Sequence, residues 1–61
     1  MLKKSWIKDQ YKFVPENATY CGNQIFMVFR LFDDSWVFQR YIYSESKRID
    51  AENEFFFMLE N

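Results

Sequence analysis

Residues 25–43 read Ile25-Phe26-Met27-Val28-Phe29-Arg30-Leu31-Phe32-Asp33-Asp34-Ser35-Trp36-Val37-Phe38-Gln39-Arg40-Tyr41-Ile42-Tyr43. Thirteen of these nineteen residues are apolar or aromatic, and seven are Phe, Tyr or Trp. The run is cut once, at Asp33-Asp34-Ser35, where short polar side chains that bond to neighbouring backbone favour a turn. The segment is predicted to be a β-hairpin with both faces apolar.

Turn parity decides which side chains share a face, because they alternate along a strand. A two- or four-residue loop groups Ile25, Met27, Phe29 and Leu31 with Trp36, Phe38, Arg40 and Ile42. The opposite face then holds Phe26, Val28, Arg30 and Phe32 with Val37, Gln39, Tyr41 and Tyr43. The first set is nearly pure hydrocarbon and is assigned to the core. The second mixes rings with hydroxyls, an amide and a guanidinium, a mixture enriched at the centres of protein interfaces. Phe26, Val28, Arg30, Gln39, Tyr41 and Tyr43 are therefore the candidate partner-binding residues.

Working outward, the whole chain of 61 residues is one domain. A chain this short buries only about 60% of the surface its unfolded form exposes. Small domains make up the deficit with disulfides, metals, association or large side chains. Cys21 is the single cysteine and there is no histidine, so neither an internal disulfide nor a structural zinc site is expected. Large side chains, at 23% aromatic content, and a homo-oligomer are what remain.

Upstream of the hairpin, the alternation of Tyr11 and Phe13 with Lys12 and Val14 predicts a short strand near 10–14, ended by Pro15. Leu2 and Trp6 fit no helical face. Residues 15–24 read as a connection whose turn lies at Gly22-Asn23. Downstream, Ser44 to Arg48 reads as an exposed link. Asp50 then suits a helix cap, with acidic residues in the first turn complementing the helix dipole. Ile49, Phe55, Phe56 and Leu59 would line the buried side of that helix. The rival is a last strand, favoured by the run of three phenylalanines. The expected fold is thus α+β: a three-stranded antiparallel sheet built on the 25–43 hairpin, with a C-terminal helix. An all-β meander is the alternative.

The chemistry-bearing patterns are sparse. With no histidine, Cys21 and the serines lack the usual general base, and Cys21 is expected to be a small buried apolar group. Asp33 and Asp34 need no partners beyond the turn itself. No glycine-rich phosphate loop and no calcium or zinc spacing is present. The chain is expected to be no enzyme and to carry no cofactor or metal.

Net charge is −1, which attracts neither nucleic acid nor an anionic membrane as a whole. Lys3, Lys4, Lys8 and Lys12 make the first segment basic, while Glu45, Asp50, Glu52, Glu54 and Glu60 make the last one acidic. There is no apolar run long enough for a membrane span and no leader pattern, so a cytoplasmic location is expected. Asn17-Ala18-Thr19 matches a glycosylation sequon only by chance in such a protein. Residues with AT-rich codons far outnumber those with GC-rich codons, which points to a low-GC bacterial or phage source.

The expected function is a stand-alone protein-binding module, homo-oligomeric, acting as a regulator or stoichiometric inhibitor of a partner protein. The alternative is a single-stranded nucleic-acid binder that stacks bases on an aromatic sheet face.

Overall fold

The computed structural model describes residues 4–45 and 47–60. Leu2 and Lys3 of the first segment and Ser46 of the predicted link lie outside the described residues. Four strands, β1 (Trp6–Lys8), β2 (Tyr11–Tyr20), β3 (Asn23–Phe32) and β4 (Ser35–Ser44), precede one helix, α1 (Arg48–Glu60). The sheet is an antiparallel meander in the order β1-β2-β3-β4. The α+β class is as expected, with one strand more than predicted.

Three two-residue turns join the strands. Asp33 and Asp34 both have positive φ, 52° and 63°, and so do Cys21 and Gly22, at 51° and 83°. Positive φ at both central residues is what a type I′ hairpin turn demands, and its backbone twist matches that of the flanking strands. At the first turn only Asp9 is left-handed, with φ 57°. Cys21 and Gly22, not Gly22 and Asn23, form the second turn, since Tyr20 pairs with Asn23. Cys21 is consequently exposed rather than buried.

β2 runs through Pro15 instead of ending there. β1 pairs only with Tyr11–Phe13, so from Val14 onward β2 is an edge strand, where a residue without an N–H is tolerated. The ladder to β3 breaks just beyond Pro15. Pro15 pairs with Phe26 and Thr19 with Gln24, which leaves two extra residues on β2. Because the excess is even, the faces keep their phase.

In the 25–43 hairpin the excess is odd. Leu31 pairs with Trp36 and Phe29 with Phe38, as a two-residue turn dictates, but Val28 pairs with Arg40. Gln39 is an extra residue, a β-bulge. Beyond it Met27 lies opposite Tyr41 and Ile25 opposite Tyr43, not opposite Arg40 and Ile42.

The helix covers the face that carries Trp6, Phe13, Phe26, Val28 and Ile42, and it contributes Ala51 and Phe55. This reverses the expected sidedness: Phe26 and Val28 are core, while Ile25, Met27, Phe29, Leu31, Trp36 and Phe38 are on the far side of the sheet. Of the residues assigned to the core, only Ile42 is there. The reason lies in β2. Its bulky positions Tyr11 and Phe13 register with Arg30 and Val28, and Phe13 stacks on Trp6 of β1 with ring centroids 5.1 Å apart and planes 9° apart. The heaviest aromatic row therefore runs through Phe26 and Val28. Edge-to-face contacts continue it: Trp6 with Phe26 at 5.8 Å, and Phe55 with Tyr11 at 4.8 Å and with Phe13 at 5.7 Å. Such pairs each contribute about 0.5–1.5 kcal/mol beyond the area they bury.

α1 presents Ala51, Phe55 and Met58 at helical spacing, with Phe56 beside Tyr11. Ile49 and Leu59, expected inside, are exposed on its outer side. Trp6 fastens the helix to the first strand: its indole N–H donates to Glu52 Oε2 at 2.8 Å, and Arg48 lies 5.3 Å from the ring centroid. Ser44 ends β4 and is buried, so the link to the helix begins one residue later than predicted.

Two stability differences follow. Phe26→Ala, in the core, should cost about 3–5 kcal/mol in urea unfolding, whereas Phe38→Ala should cost the monomer about 1 kcal/mol. Asp34→Gly, which removes a side chain from a left-handed position, should stabilise by about 1 kcal/mol. A loss at Phe38 as large as at Phe26 would contradict the observed faces.

Candidate functional site

One helix of 13 residues, about 20 Å long, lies on one side of a sheet whose three long strands are about 33 Å long. Nothing among the described residues covers the other side. β3 contributes Ile25, Met27, Phe29 and Leu31 to this open face, and β4 contributes Trp36, Phe38, Tyr41 and Tyr43. Tyr41 is 48% exposed, Phe38 45% and Tyr43 44%. Ile7, Lys12 and Val14 extend the surface across β1 and β2, because Ile7 pairs with Lys12, Lys12 with Phe29 and Val14 with Met27.

The rings hold one another. Phe38 makes edge-to-face contacts with Phe29 at 5.6 Å and with Tyr41 at 5.1 Å, and Tyr20 leans on Tyr43 at 5.0 Å. Lys12 Nζ sits 5.9 Å from the centroid of Trp36, a cation over a ring face. At the opposite end, Glu16, Ala18, Ile25, Tyr41 and Tyr43 line a shallow depression of about 260 Å³. The surface is preassembled: most of its side chains are already fixed by neighbours, so covering it costs less side-chain entropy than ordering free ones.

The six candidate partner-binding residues divide three ways. Phe26 and Val28 are fully buried under the helix and are unavailable to a partner. Tyr41 and Tyr43 do stand on the open face, carried there by the bulge. Arg30 registers with Tyr11 and Val37 on the helix side, and Gln39 is the bulged residue itself, its amide donating to the Val37 carbonyl at 3.4 Å. The contribution of β2 was not foreseen, although the alternation of Lys12, Val14 and Glu16 with Tyr11, Phe13 and Pro15 carries the signal.

A second concavity, of about 630 Å³, lies between the ends of the sheet and helix and is lined by Asn23, Ser44, Glu45, Asp50, Asn53 and Glu54 among others. It is wide and polar. Among the described residues no group of three or more Cys, Asp or Glu is placed to hold a metal ion.

No family model, curated protein or solved structure matches this chain. The open face and its chemistry are thus the guide to function. No helix among the described residues is long and apolar enough to cross a membrane.

The two tryptophans report on the two sides of the sheet. In dilute solution, acrylamide should quench the emission of a Trp6→Phe chain, which retains Trp36, more strongly than that of a Trp36→Phe chain, which retains the 8%-exposed Trp6. The reverse order would mean that the helix covers the other face.

Proposed function

We propose that this chain is a small protein-binding module whose working surface is the uncovered face of its sheet. It acts by association, as a regulator or stoichiometric inhibitor that occupies a partner's surface; it also forms homo-oligomers, and it is not a catalyst. The observation that carries this reading is the row of half-exposed rings on β3 and β4, with the one helix among the described residues spent on the opposite side. An apolar patch larger than a few hundred Å² on a folded chain usually marks an interaction site. Its residue types, tyrosine, tryptophan, phenylalanine and methionine, are those enriched where protein interfaces are driest.

The single-strand alternative draws support from Lys12 over Trp36 and from the same exposed rings. It draws less from charge. Lys8 pairs with Tyr11, Tyr11 with Arg30, and Arg40 with Val28, so the register turns these cations to the helix side. Only Lys12 among the strand cations shares the surface on which bases would stack, whereas single-strand binders track the phosphates with several.

The test compares the chain with Phe38→Asp, which charges the open face, and Ile49→Asp, which charges the exposed outer side of the helix. Immobilised wild type and Ile49→Asp should retain the same protein from a cell lysate, and Phe38→Asp should lose it. Equal retention by all three would sink the reading. Binding of the wild type to oligonucleotides that weakens steeply with salt would favour the alternative.

A further inference from the structure

The open face is self-complementary, which an apolar surface need not be. Lys12 and Glu16 are both half-buried and flank Val14 on β2. Val14, Met27 and Tyr41 form one row across three strands. To one side of this row lies the edge-to-face pair of Phe29 and Phe38. To the other lies the depression lined by Glu16, Ile25 and Tyr43.

We propose that the occupant of this face is a second copy of the chain, packed sheet against sheet about a two-fold axis that runs along the Val14–Met27–Tyr41 row. This rests on the reading of the open face as an association surface and names what covers it. An axis in that position sends Lys12 over Glu16 of the second copy, and Glu16 over its Lys12. It sends Phe29 over Ile25 and Phe38 over Tyr43, so the ring pair of each copy enters the depression of the other. The sheets stack about 10 Å apart with their strands nearly aligned, the ordinary geometry of a β-sandwich. An axis parallel to the strands would lay β2 over β4, leaving Lys12 and Glu16 against rings with no counter-charge.

The size fits. Three strands of ten residues and one of three, about 4.8 Å apart, give a flat footprint on the order of 500 Å². Side-chain relief brings this near the roughly 600 Å² per partner at the lower bound of specific interfaces. The sheet edge is the rival route to a dimer, but β4 is poorly suited to it. It carries the Gln39 bulge, and two of its carbonyls, at Val37 and Tyr41, already accept hydrogen bonds from its own Gln39 and Arg40 side chains. Bulges and edge charges are the means by which strands refuse such pairing.

The experiment is sedimentation equilibrium of the wild type, Lys12→Glu, Glu16→Lys and the double reversal, each checked for folding by its urea midpoint. The wild type should be dimeric. Each single reversal sets two like-charge pairs in the interface and should raise the dissociation constant about a hundred-fold. The double reversal should return it to within about tenfold of the wild type. A wild type that stays monomeric at several hundred micromolar overturns the proposal, as does a dimer indifferent to all three variants. If the chain is monomeric and Phe38→Asp still abolishes protein capture, the second copy is the wrong occupant and the binding face stands. If the chain is monomeric and capture is unaffected, both fall.

Discussion

A buried indole keeps one polar edge, and that edge must find an acceptor inside the protein. For Trp6 the acceptor is the carboxylate of Glu52, on the helix, while Arg48 one turn earlier lies over the ring. The two groups are four residues apart, so they share one side of the helix and grip one side chain. The indole also stacks on Phe13. This arrangement ties the first strand to the last element of the chain. It commits the helix to the side of the sheet on which Trp6 lies, and everything on the opposite side is thereby left uncovered.

Much of the architecture was legible in the residues. Asp33 and Asp34 announce their turn, the 25–43 hairpin announces its strands, and Asp50 with the acidic residues after it tips the final segment towards helix, although Asp50 lies in the first turn and is not the cap, since the helix starts at Arg48. Trp6–Lys8 is too short to display a period, and Pro15 disguises a strand that survives because β1 does not extend alongside it. The candidate site was half legible. Both faces of the hairpin are apolar, so no count within it can say which one the helix takes; that is decided by register with Tyr11 and Phe13. Even a correct choice of side would have misplaced part of β4. A bulge at Gln39 has no signature in a stretch where every neighbour is an ordinary strand former.

If the open face takes both a second copy and a target protein, the two are mutually exclusive. The free chain is then governed by mass action: its self-association constant sets how much open face is available at a given concentration. Covering roughly 600 Å² per copy would also supply part of what a chain of this size lacks. Assembly and stability would then be linked, the most exposed rings contributing little to the monomer and much to the pair.

The bulge at Gln39 has a consequence for how the chain reaches this structure. Near the Asp33-Asp34 turn the hairpin can zip in one way only, through Phe32 with Ser35, Leu31 with Trp36, Arg30 with Val37 and Phe29 with Phe38. At Gln39 the path forks. A regular ladder would continue with Gln39 opposite Val28, turning Tyr41 and Tyr43 towards the helix and Ile42 away from it; the bulged ladder does the opposite. Local pairing rewards the first branch, since it wastes no residue. Only the core, by claiming Ile42 beside Phe26, rewards the second. The final phase of the far half of β4 is thus set by the burial of Ile42 on the helix side and not by pairing within the hairpin alone.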